Sequence, residues 1–123
     1  MASAKKIRSP RTRAGGEMTE SRFFGFLRSG LRQMSRRWPP LVRHAMVSAR
    51  RKNESENKRL KWEFQCATCK GWRPAKLVEV DHIVPCGSLK SFDDLRGFTE
   101  RLFCESEGLR VLCKTCHQLR KTE

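Results

Sequence analysis

From Ser21 onward apolar residues recur every third or fourth position, as Phe23, Phe24, Leu27, Leu31 and Met34. That period gathers them on one face of a helix and sets Arg28, Arg32 and Arg36 along another as a basic stripe. Ser21 is the expected N-cap. Trp38-Pro39-Pro40 ends the helix, because a residue before proline is pushed out of the α region. A second helix is expected over residues 40–52, with proline in its first turn and Leu41, Val42, Ala45, Met46 and Ala49 as its apolar positions. The polar run 53–57 reads as a linker. At Lys61 the period changes to two: Trp62, Phe64 and Cys66 alternate with Glu63 and Gln65, as in a half-buried strand. Residues 77–80 and 109–112 read as further strands. Residues 92–103 carry Phe92, Leu95, Phe98, Leu102 and Phe103 at helical spacing, and a last helix is expected over 114–121. The sum is a small α+β fold in which the Phe/Leu/Met face of the first helix packs on the C-terminal part.

Charge divides the chain at the same place as the period. Residues 1–61 hold 17 Lys/Arg against 4 Asp/Glu, whereas residues 62–123 hold 10 against 9. A polycation of that density suits nucleic acid or an anionic membrane. No apolar run is long enough to span a bilayer and no signal-peptide pattern opens the chain, so a cytoplasmic protein without a membrane partner is expected. The organisation that follows is a disordered basic tail over 1–20, a basic helical extension over 21–58, and a catalytic-looking domain over 59–123. With 123 residues, 33% of them charged, the core is small and gains from a metal staple.

Six cysteines supply the means, and four fall in two C-x-x-C pairs, Cys66/Cys69 and Cys113/Cys116. Each such turn aims two thiolates at one point, and two turns complete the tetrahedron that zinc prefers. Without an export signal, a structural Zn²⁺ is expected rather than disulfides. Cys86 and Cys104 lack paired spacing and read as ordinary buried or half-buried thiols. Between the pairs stands Val80-Asp81-His82-Ile83-Val84-Pro85, an acid and an imidazole side by side at a strand end. Asp can hold a hard divalent cation and His can take a proton from water. His117 follows Cys116 directly, and with four cysteines filling the zinc tetrahedron it is left to bind something else.

These three motifs, in this order, resemble the zinc-containing branch of the HNH endonuclease family, over residues 62–122. The resemblance implies a ββα-metal fold and metal-dependent hydrolysis of DNA phosphodiesters, with nicking suggested by one active site per chain. It implies His82 as general base, and Asp81 and His117 as ligands of a catalytic Mg²⁺ or other divalent cation. The basic N-terminal half is similar, less specifically, to extensions of small free-standing phage HNH proteins. Arg28, Arg32, Arg36, Arg120 and Lys121 are the expected contacts to DNA, made mainly to phosphates. One position departs from the family: Gly108 stands where an Asn is usual. The rival expectation is a catalytically weak or inactive zinc-stapled DNA-binding or regulatory protein.

Overall fold

Helix α1 (Glu20–Ser35) begins at Thr19, not Ser21, in the computed structural model, which describes residues 8–121 without the side chain of Lys121. Thr19 has extended backbone, and its hydroxyl accepts the Arg22 amide at 3.1 Å, satisfying one of the N–H groups that a helix start leaves unpaired. The chain before it is ordered back to Arg13. The Arg13 amide bonds the Met18 carbonyl at 3.0 Å around a 3-10 turn at Ala14–Gly16. The Arg13 guanidinium pairs with Glu20 at 2.8 Å and lies 4.7 Å from the centre of the Phe23 ring. Residues 13–20, part of the expected tail, take a turn that Arg13 ties to the start of the helix. Residues 1–7 lie outside the described part.

Phe24, buried on α1, meets Phe98 and Leu102 of α3 (Phe92–Leu102), together with Leu89 and Cys86. Phe23, Leu27 and Leu31 line the same cluster, whereas Met34 turns out to be 47% exposed. The helical spacing marked the right face, but its last turn overshoots α3. Asp93 and Asp94 occupy the first turn of α3, where the helix dipole favours negative charge. The Asp94 carboxylate also accepts the Lys90 amide at 2.9 Å.

The second helical segment, a π-helical turn Pro40–His44 running into α2 (Ala45–Ala49), stops three residues short of expectation. Arg50–Lys52 instead forms strand β1, antiparallel to β2 (Trp62–Gln65), which in turn pairs with β3 (Trp72–Arg73). The run 53–57 is thus a hairpin turn and not a linker. A boundary at 58/59 falls inside one sheet. β1 was hidden because Arg-Arg-Lys carries no alternation of apolar and polar residues.

A second antiparallel pair, β4 (Val78–His82) and β5 (Leu109–Cys113), leads directly into α4 (Lys114–Lys121). Its register sets Val80 opposite Val111 and Asp81 opposite Arg110. Side chains alternate faces along a strand. One face of the pair therefore presents Val78 and Val111 to Phe64 of β2, with Met46 and Ala49 from the α2 segment against them. The opposite face presents Glu79 and Asp81 to α4. The architecture is a small mixed α+β domain with four cysteines close together. Among the described residues no helix is long and apolar enough to cross a membrane.

Candidate metal centre and acid–histidine cleft

The four thiols of Cys66, Cys69, Cys113 and Cys116 lie within 4.8 Å of one another, with Cys69 and Cys113 sulfurs 3.9 Å apart. Zinc–sulfur bonds of about 2.3 Å in a tetrahedron put sulfurs roughly 3.8 Å apart, so the cluster can hold a metal ion such as zinc. The local chain explains the convergence. After β2 the Cys66 carbonyl accepts the Lys70 amide at 3.0 Å and the Cys66 amide bonds the Gly71 carbonyl at 2.9 Å, closing a tight knuckle. Lys70 takes a left-handed conformation, φ 62°, to complete it. The Ala67 amide bonds the Val111 carbonyl at 2.8 Å, which ties the first knuckle to the strand that delivers the second.

Electrostatics in this cluster favour a cation. Burial pushes the Cys66 thiol up, but backbone amides at Cys113, Cys69 and Thr68 outweigh it and bring the group down to about 6. Cys116 is pushed up to about 12, first by its hydrogen bond with Cys113, then by burial and the neighbouring thiols. One thiolate is welcomed and the next is resisted, and bound positive charge removes that resistance.

At the end of β4, Asp81, His82 and His117 line one cleft of about 480 Å³, together with Arg32, Pro85, Cys86 and Arg120. His82 ends β4, and its Nε2 lies 3.0 Å from the Leu102 carbonyl. A carbonyl only accepts, so that nitrogen carries the proton and Nδ1 keeps the basic lone pair. The His117 Nδ1 lies 2.6 Å from a Glu79 carboxylate oxygen. This fixes the proton there and leaves Nε2 facing Asp81 Oδ1 at 3.6 Å. Sequence reasoning missed Glu79; its position two residues before Asp81 on the same strand face was the available signal.

Asp81 is buried, and its other oxygen is held by two guanidiniums, Arg110 at 3.2 Å and Arg120. Arg120 also donates to the Ile83 carbonyl at 3.3 Å. Arg120 is therefore an ion-paired wall of the cleft, not a free surface arginine. The side chain of Lys121 lies outside the described residues. Arg28 and Arg32 on α1 and Arg36 at its C-cap are all exposed. Arg32 alone of the three borders the cleft, with its guanidinium 6.0 Å from the Phe98 ring centre. Among the described residues it has no carboxylate partner.

Gly108, at the end of a 3-10 turn, accepts the Ile83 amide at 2.9 Å through its carbonyl and so closes the segment after His82 by backbone alone. A Cβ there would meet the Cys104 sulfur at 2.8 Å. Cys86 is buried and Cys104 half-buried, and both are free thiols. Compared with known proteins, the chain matches no family model, no curated protein and no solved structure.

Proposed function

We propose that this chain is a metal-dependent endonuclease of the HNH type that hydrolyses DNA phosphodiesters. The observation that carries the reading is the gathering of Asp81, His82 and His117 in one cleft, with the His82 ring pinned by a backbone carbonyl. The run β4–β5–α4, a two-stranded antiparallel pair followed by a helix, is the arrangement expected of a ββα-metal domain. The four-cysteine site at its base, holding Zn²⁺, staples the strand β5 to the first knuckle.

In this reading His82 Nδ1 takes a proton from water as the water oxygen attacks phosphorus and the bond to the bridging oxygen breaks. Asp81 and His117 would hold a divalent cation such as Mg²⁺. Asp81 Oδ1 and His117 Nε2 stand 3.6 Å apart, so the pair would offer one carboxylate oxygen and one imidazole nitrogen to such an ion. When bound, that ion supplies charge stabilisation at the phosphate. Glu79 fixes the His117 tautomer that presents a lone pair to it. Arg32, from a helix outside the expected catalytic domain, offers an unpaired guanidinium to a phosphate in the cleft.

A second reading has its own observation. Asp81 is already neutralised by Arg110 and Arg120, which suits a protein that keeps the zinc-stapled fold and binds DNA without cutting it. The deciding experiment is conversion of supercoiled plasmid to nicked circles by purified protein with Mg²⁺ or Mn²⁺. Wild type should nick, and His82→Ala should lose about 10²–10⁴ in rate with zinc content and DNA affinity retained. No cleavage with any divalent ion, or wild-type cleavage by His82→Ala, would sink the nuclease mechanism.

A further inference from the structure

The hairpin joining β1 to β2 lies outside the cleft: none of residues 50–61 lines it. Those residues contain six Lys/Arg and two Asp/Glu. Arg50, Lys52, Lys58, Arg59 and Lys61 are exposed, and none has a carboxylate partner among the described residues. The one arginine of the six that is ion-paired, Arg51, holds Glu54 at 3.2 Å and Glu63 at 3.4 Å. So the acids of this region are partly spent on it, and the remaining cations face solvent.

These cations are presented on an ordered support. Asn53 organises the turn: its side-chain amide donates to the Asn57 carbonyl at 2.7 Å and the Leu60 carbonyl at 2.9 Å. Its carbonyl oxygen accepts the Ser55 amide at 2.9 Å. Asn57 repeats the device, accepting the Arg59 amide at 3.2 Å. At the stem, Arg50 lies 4.0 Å from the centre of the Trp62 ring and Lys61 5.8 Å, so tryptophan props both side chains. The root is anchored because Phe64 is buried against Val78 and Val111.

A polar loop fixed before binding leaves little ordering to be done on binding. Its partner must be a polyanion. No large apolar side chain of residues 50–61 is exposed, so there is nothing to insert into a bilayer or seal against a protein core. Beyond Phe64, where pairing with β3 stops, the hairpin is two strands about 4.8 Å apart, a width that fits the major groove of duplex DNA, and flanking lysines and arginines then reach the phosphates.

We infer that the β1–β2 hairpin is a second DNA-binding element, a preorganised basic ribbon that grips duplex phosphates separately from the cleft. This rests on the DNA-binding part of the reading above and not on cleavage. The test uses full-length protein carrying His82→Ala, in chelator-free buffer without Mg²⁺ or Mn²⁺, and measures binding of a 24-bp duplex at several salt concentrations. Zinc content and a urea melt verify the fold of each variant. Adding Lys58→Gln, Arg59→Gln and Lys61→Gln should flatten the log–log salt slope by up to about 2.7. The parent should then lose about 40-fold more affinity than the triple variant between 50 and 200 mM salt. Asn53→Ala, which changes no charge, should weaken binding roughly tenfold per residue that must be re-ordered, with the slope kept. An unchanged slope in the triple variant overturns the inference while leaving DNA binding by other residues intact. Loss of binding to an acidic peptide or anionic vesicles, with duplex affinity unmoved, overturns it in favour of that partner. Duplex binding through the hairpin by a protein that never cuts would uphold it and refute the nuclease mechanism alone.

Discussion

Replacing Phe24 by Ala tests whether the N-terminal helix is needed to build the Asp81–His82–His117 cleft. Phe24 is 2% exposed and sits edge-on to Phe23 and Phe92, with ring centres 5.0 and 5.1 Å away, inside the cluster built on Phe98 and Leu102. It is the one fully buried large apolar side chain of α1; Phe23, Leu27 and Leu31 are only half-buried. Truncating a buried Phe to Ala costs about 3–5 kcal/mol. The helix itself gains only about 5–6 kcal/mol from burying these four side chains, so one substitution removes most of its hold. At 1.4 kcal/mol per factor of ten, undocking of α1 should become two to more than three orders of magnitude more frequent. The four-cysteine cluster and the Phe64–Val78–Val111 core share no residue with this contact and should persist.

The assay is amide hydrogen exchange resolved along the chain, with zinc content and plasmid nicking measured on the same sample. Exchange protection should fall in α1 and be retained in β4 and β5. Nicking should fall with it, because Arg32 reaches the cleft only while α1 is docked on α3. Wild-type protection across α1 in Phe24→Ala would refute the packing argument. Lost protection with undiminished nicking would refute the role given to Arg32 while sparing the rest of the site.

The remaining predictions concern the four-cysteine cluster and the cation proposed for the cleft. A Cys66→Ser/Cys113→Ser double variant should bind no zinc and lose cooperative unfolding, since structural zinc is worth about 10–16 kcal/mol against a whole-domain stability of about 5–15; elemental analysis and a thermal melt check both. Zinc affinity should fall more steeply with acidification below about pH 6 than above it, because Cys66, ionised above that value, then adds its proton to those the metal displaces; a competition titration with a chelator across pH 5–8 reads the slope. His117→Ala should weaken Mn²⁺ binding without releasing zinc, and zinc loss in that variant would make His117 a structural ligand. Arg120→Gln should tighten Mn²⁺ binding, measured calorimetrically, because it removes one of two guanidiniums competing for the Asp81 carboxylate.

What the sequence revealed of this site follows from how local each signal is. The C-x-x-C pairs and the Asp-His step were legible because each places two functional groups within a few residues on a turn or strand end. The helix α1 was legible as a helix, through its apolar period, but not as a wall of the cleft. That depends on Phe24 meeting Phe98, 74 positions away. β1 carried no pattern of its own and exists because β2 supplies a partner register. Thr19 and Ser21 are both capping residues by chemistry. The cap falls to Thr19, whose hydroxyl accepts the Arg22 amide one turn into a helix that starts at Glu20.

Gly108 shows the same limit in a testable form. Position 108 was visible as a departure from the HNH pattern that the motifs resemble, and what limits that position lies four residues back. A Cβ at 108 would stand 2.8 Å from the Cys104 sulfur and 3.1 Å from its Cβ, distances at which one side must shift. Cys104 is in turn held where it is, since its carbonyl accepts the Trp38 indole N–H at 2.7 Å. Gly108→Asn should therefore destabilise the fold by about 1–3 kcal/mol, the usual cost of overpacking. Shortening the neighbour with Cys104→Ala removes the sulfur and should recover most of that loss. A double-mutant cycle by urea denaturation measures the coupling, and neighbours in contact typically give about 0.5–3 kcal/mol. Additive effects would mean that the glycine is not required by Cys104. Full coupling would mean that the Cys104 side chain is what keeps a larger residue out of position 108.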